Sequence, residues 1–168
     1  MFPLKPLSKD AVPAALVKAE RYRLLNEPGE AESICLDVLQ VDSDNQEAIV
    51  ALLLALTDQF PTAEGTSAAL ASRAEGLLVR LADPYEREYY KGIIRERRAK
   101  AALQRDSFHS SASAVGWLHE ALACFERAEA LKPPHNDDAT LRWNACARLM
   151  QRLPQIAHDT RAEPIESE

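Results

Sequence analysis

Glycine is scarce in this chain, with five in 168 residues, too few for a phosphate-cradling loop together with several tight hairpins. An excess of basic charge is missing too. Lys and Arg total 20 against 26 Asp and Glu, a formal charge of −6, so the footprint of a general nucleic-acid binder is absent. No apolar run approaches the roughly 18 residues a membrane-spanning helix needs. The opening Met1-Phe2-Pro3-Leu4-Lys5-Pro6-Leu7 has two prolines and no long apolar stretch, which makes a poor secretory signal. Cys35, Cys124 and Cys146 are odd in number and widely spaced, which is no disulfide framework, and the expected setting is the cytoplasm. Each lies in an apolar helical pattern, where cysteine serves as a small core residue. Of His109, His119, His135 and His158, no two share a helical turn and none has a metal-ligand spacing to a cysteine or carboxylate. No metal ion and no cofactor are expected.

What is present is helical pattern after helical pattern, in a globular balance of 46% hydrophobic and 27% charged residues. No period-2 strand and no Asn-Gly or Asp-Gly hairpin turn interrupts it. Seven helices are expected, at about residues 10–25, 30–41, 46–59, 66–82, 84–105, 114–131 and 137–153. Ala15, Ala19 and Tyr22 form one stripe on the first, and Ala31, Ile34, Cys35, Val38 and Leu39 one face of the second. The third contains nine successive apolar residues, 48–56, and wants cover on every side. Asp83-Pro84-Tyr85-Glu86 is a helix start, with a capping acid, a proline at the first helical position and an acid three residues after the cap. The serine-rich stretch 106–113 is expected to be a loop, and Pro154 to end the order. The organisation is thus an arm (1–9), a helical domain (10–153) and an acidic, disordered tail (154–168).

An offset of 34 residues aligns Ala14-Ala15 with Ala48-Ile49. Ala19, Tyr22 and Ala31, followed by Val38-Leu39 and Asp42-Ser43-Asp44-Asn45, make one unit, and Ala121, Phe125, Ala128, Leu131 and Pro133 close another. On these residues and this period the chain resembles the tetratricopeptide repeat family. The resemblance covers about two thirds of the chain; residues 61–113 fit poorly, and Gly92 falls one position from its expected register beside Tyr89. It implies an all-α, right-handed superhelix of antiparallel helix hairpins, three units and a capping helix. A single hairpin cannot bury its own apolar face, so about three must stack.

The resemblance further implies a concave face built from the first helix of each unit. Leu16, Glu20, Arg23 and Leu24 are expected to line it from the first unit, Val50, Leu54 and Asp58 from the second, and Tyr90, Ile94, Arg97 and Arg98 from the third. The expected function is a non-catalytic protein–protein interaction module, an adaptor or scaffold holding a protein or peptide partner there, with no nucleic acid and no membrane involved. Leu16 and Glu20 stand where the family's receptors for C-terminal carboxylates carry basic residues, which disfavours that use. The same residues fit an open groove or a helix-covered core. A homodimer is open through Phe2, Leu4 and Leu7. Lys91, Arg95, Arg98 and Arg105 form a stripe that suits an acidic partner or a solvated face. A second reading is a small chaperone for a secreted or unstable client. The opposing class is an enzyme with a site in the helical groove, joining His109 or His119 to carboxylates. Against it stand the missing phosphate loop, metal pair and nucleophile elbow, and the lack of a histidine beside Glu30, Glu32 and Cys35.

Overall fold

A computed structural model describes residues 2–63, 65–105 and 108–159, with side-chain surroundings at 2–63, 65–105 and 112–153. Among the described residues every regular element is a helix, and there is no strand. A 3-10 turn over Lys9–Ala11 leads into α1 (Val12–Leu24), then α2 (Pro28–Val41), α3 (Gln46–Asp58), α4 (Ser67–Leu78), α5 (Pro84–Leu103), α6 (Phe108–Leu131) and α7 (Asp138–Asp159). The all-α class and the seven α-helices agree with the sequence reading.

Local chemistry sets several boundaries. Asn45 Oδ1 accepts from the Ala48 amide at 2.9 Å to cap α3, and Asp83 Oδ1 accepts from the Tyr85 amide at 2.9 Å to cap α5. Pro28 and Pro84 open α2 and α5, where a proline lacks no bond the helix would have made. The chain reverses between α1 and α2 through Asn26 at φ 61°, a left-handed conformation that asparagine tolerates better than most residues.

Two expectations are corrected. Residues 108–113 are not a loop, because α6 starts at Phe108. The segment holds neither glycine nor proline, and serine's helix penalty of roughly 0.5 kcal/mol per residue is small beside the packing of a long helix on its neighbour. Nor does Pro154 end the order, since α7 runs on to Asp159. Proline removes one amide donor but keeps φ near the helical value, so it weakens the helix without forbidding it. Residues 160–168, the rest of the expected tail, lie outside the described residues.

Each helix packs on its chain neighbours, and α3 also touches both α1 and α5. The apolar run explains this arrangement. Ala48, Ile49, Leu52, Leu53, Ala55 and Leu56 are all buried, on opposite sides of α3, so it needs neighbours all round. The core has two main clusters. One joins α1 to α5 around Ile49, Leu53, Phe60 and Ala74; the other joins α5, α6 and α7 around Ile93, Leu118, Phe125 and Cys146. Leu54 and Tyr90 pack against both, forming the seam. The contact between α5 and α6 depends on Gly92. A Cβ there would lie 2.5 Å from Phe125 Cε1 and 2.9 Å from Cζ, so the ring lies directly on the glycine backbone.

The three cysteine thiols are buried. Burial pushes Cys35 up to about 11, against help from Arg23 that lowers it, and pushes Cys146 up to about 12. Burial likewise pushes the Tyr90 phenol up to about 12. The native fold therefore holds these groups protonated, while the unfolded chain releases the thiol protons near pH 9 and the phenol proton near pH 10.

Two outcomes are expected. Gly92→Ala should destabilise the fold by about 1–3 kcal/mol, because overpacking against Phe125 outweighs the helix-propensity gain of about 1 kcal/mol. Phe125→Leu in the same chain should recover part of the loss, both read by urea denaturation. The raised thiol and phenol values give stability that is complete below about pH 9 and drains away as pH rises through about 11–12. Urea midpoints measured under reducing conditions should be level near neutrality and fall above about pH 9; a midpoint still level at about pH 11 would contradict that assignment.

Candidate partner-binding surface

The helices α1, α3 and α5 open the successive hairpins, and three of their charged side chains meet. Arg23 Nε donates to Asp58 Oδ2 at 2.7 Å, while Arg97 donates to Asp58 Oδ1. Arg23 Nη1 also donates to Glu20 Oε2 at 2.9 Å within α1. Arg97 Nη1 reaches further along α3, to the Leu54 carbonyl at 3.1 Å and Thr57 Oγ1 at 2.6 Å. These acceptors lie near the C-terminal end of α3, where the helix dipole concentrates partial negative charge. Burial lowers the pKa of the Arg97 guanidinium, and Asp58 works against that shift. Asp58 is thus the shared counter-charge of two arginines on two different helices.

The expected surface residues divide into distinct groups. Glu20, Arg23, Asp58 and Arg97 join in this network, and Leu54 and Tyr90 lie beside it on the seam, both half-buried. Val50 is half-buried against the first cluster. Leu24, one turn beyond Glu20, is 80% exposed. Leu16 is buried with Val12, Val38 and Ala48, and the arm residue Leu7 packs against that group. Ile94 is wholly buried in the first cluster. Arg98 faces α4 and α6 instead, its guanidinium stacked 4.4 Å over Trp117 and 3.6 Å from Glu75. Ile94 and Leu16 are thus closed within core clusters, Leu16 beneath the arm, while Arg98 turns to α4 and α6.

The arginine stripe is likewise spent within the molecule. Arg95 pairs with Glu75 and, at 2.7 Å, with Glu120, bridging α4, α5 and α6. Arg105 Nη2 donates to the Phe60 carbonyl at 3.1 Å and so holds the chain that leaves α3.

One charged group escaped the sequence reading. Glu96 is 1% exposed, paired with Lys100 one turn on and with Arg142 of α7 at 3.4 Å. Its other oxygen, Oε2, is buried without a hydrogen-bond partner. The only sequence signal was an acid in the basic run Arg95-Glu96-Arg97-Arg98, and nothing local distinguishes a buried acid there from a solvated one. Three tyrosines of α5 pack on one another: Tyr85 stacks on Tyr89 at 5.7 Å, Tyr89 meets Tyr90 edge-on at 5.2 Å, and Tyr85 Oη bonds Asn136 at 3.2 Å. Among the described residues no three His, Cys, Asp or Glu side chains gather as a metal site, and no helix is long and apolar enough to cross a membrane. What the arrangement offers chemically is a fixed polar and apolar relief, with charges of both signs already oriented.

Removing Asp58 leaves two partly buried guanidinium groups in repulsion. Asp58→Ala should cost about 2–4 kcal/mol. Adding Arg97→Met should cost less than the sum of the single changes, a coupling that a double-mutant cycle in urea measures directly. Strict additivity would show that Asp58 and Arg97 do not support one another.

Comparison with family models, curated proteins and solved structures found no match to this chain.

Proposed function

We propose that the chain is a tetratricopeptide-like, non-catalytic binding module that holds a segment of a partner protein along the face shared by α1, α3 and α5. The observation that carries this reading is the Arg23–Asp58–Arg97 network. Its members are separated by 35 and 39 residues, the first close to the 34-residue period of the family the sequence resembles and the second about one turn longer. Side chains from the first helices of three successive hairpins thus meet, which supports a stack of helix pairs. Such a stack gives a partner a surface that is already ordered, so the partner bears most of the entropic cost of binding.

The chemistry of the face points to a partner segment of mixed character. Val50, Leu54 and Tyr90 supply half-buried apolar ground, while Leu24 and Glu20 are exposed at the α1 edge, Glu20 bonded to Arg23. An extended or helical peptide with apolar anchors and a few charges of either sign suits this relief. The network charges keep the helices in place and leave recognition to the residues around them. Leu54 and Tyr90 belong to both core clusters, so charge there would unfold the seam as readily as block a partner. The discriminating substitutions lie at the exposed edge.

Glu20→Gln, whose amide oxygen can still accept from Arg23, with Leu24→Glu should leave the unfolding free energy within about 0.5 kcal/mol of the parent and lower capture of the partner at least tenfold. Affinity capture with mass spectrometry identifies the partner, and titration calorimetry with that partner measures the loss. A folded double variant that binds as tightly as the parent would remove the α1 edge from the interface. Recovery of several folded partners supports an adaptor; recovery of one client that aggregates alone supports a chaperone.

A further inference from the structure

Charge is distributed one-sidedly along α7. Residues 139–158 hold Arg142, Arg148 and Arg152 and no acid, while the rest of the chain holds nine more acids than bases. Leu141, Ala145, Arg148 and Arg152 recur at i, i+4, i+7 and i+11 and so share one face of the helix. The opposite face carries Trp143, Cys146 and Met150 into the second core cluster, which turns the stripe outward. Leu141 is 65% exposed, and Arg148 and Arg152 are exposed beside it.

The guanidinium groups of this stripe are not spent inside the molecule as those of α5 are. Arg95, Arg97 and Arg98 each reach a carboxylate on a neighbouring helix. Among the described residues, Arg148 enters no ion pair, and Arg152 makes one bond, from Nε to the Arg148 carbonyl at 3.2 Å. On the flank that faces α5, Arg142 and Lys100 share one oxygen of Glu96. That acid is 1% exposed while its two cations are 40% and 47% exposed, so solvent meets the positive charges. The helix dipole does not compensate Arg148 and Arg152 either. They stand about two turns or more before the end at Asp159, and the dipole favours cations in the last turn.

We propose that this face of α7 docks an acidic, amphipathic helical segment of a partner protein, with carboxylates on Arg148 and Arg152 and an apolar anchor on Leu141 and Ala145. The face lies on another helix than the α1–α3–α5 surface and stands without it. Arg148 and Arg152 are one turn apart, about 6 Å along the axis. Carboxylates three or four residues apart on a partner helix have the same spacing. Leu141 and Ala145, on the turns before, place the apolar anchor on the same line. The net charge of the chain repels an acidic segment elsewhere, so the positive face sets where and how the segment lands. A second copy seated here about a two-fold axis would set arginine against arginine, which rejects that arrangement.

Fluorescence anisotropy of the full chain with two labelled peptides tests this. Both peptides are about eighteen residues, or five helical turns, with leucine along one stripe; one carries glutamate at the other positions and one carries lysine. The parent should bind the glutamate peptide about tenfold more tightly than the lysine peptide, against its own net charge of −6, and the preference should fade in molar salt. Arg148→Glu/Arg152→Glu should reverse the preference, and Arg148→Lys/Arg152→Lys should keep it. Urea midpoints of both variants should match the parent, since the two side chains are exposed and only the bond from Arg152 to the Arg148 carbonyl is lost. A parent without the preference, or a preference that the double glutamate variant retains, overturns the proposal. So does tighter binding to an oligothymidylate of the same length, which assigns the face to nucleic acid. A preference that emerges only after residues 160–168 are removed overturns it as well, and assigns the face to the chain's own acidic tail.

Discussion

The enclosure of α3 governs the rest of the molecule. Its run of apolar residues leaves no side fit for water, and each neighbour supplies part of the cover. The helices α2 and α4 lie against it as chain neighbours, while α1 and α5 close it from the hairpins before and after. Once α1, α3 and α5 are brought together in this way, charges at their adjoining edges must be neutralised locally. Asp58, at the end of α3, meets that need for both Arg23 and Arg97. The polar network is thus a consequence of apolar burial, and the surface built around it inherits its rigidity.

The use of arginine follows the same logic. Among the described residues, guanidinium groups of α5 bind a backbone carbonyl, carboxylates and an indole face on α3, α4 and α6, and Arg105 just beyond it binds the Phe60 carbonyl. The planar, multi-donor head suits these tasks, since it satisfies several acceptors at once while its stem covers apolar surface. A charge pattern that suggests an open basic stripe on a helical wheel is therefore internal bracing in space.

Which parts of this were legible beforehand depends on the range of the interaction. The cap at Asp83, the proline starts and the need to enclose residues 48–56 are local, and the chain announces them. The pairing of Arg23 with Asp58 was accessible in principle, as opposite charges about one repeat apart. By contrast, the meeting of Gly92 with Phe125, 33 positions on, depends on the crossing of two long helices. The burial of Glu96 depends on where α7 returns. The serine-rich start of α6 misled because a modest intrinsic preference was overridden by a long helical partner, and Pro154 because a proline's penalty is finite. The places of Ile94 and Arg98 in the packing were hidden for a related reason. A helix enclosed on three sides leaves few outward positions, and register alone does not say which remain.

The seam at Leu54 and Tyr90 carries a consequence for how the chain assembles. Helices that pack mainly on their next or next-but-one neighbours form mostly short-range contacts, an arrangement that keeps chain-closure entropy low and favours fast folding. The two core clusters then act as adjoining cooperative blocks, in the manner of a linear array, with these two side chains as the principal joint. Loosening at one terminus reaches the other through that joint, through α5, which supplies residues to both clusters, and through the ion pairs that α5 makes with α3, α4 and α6.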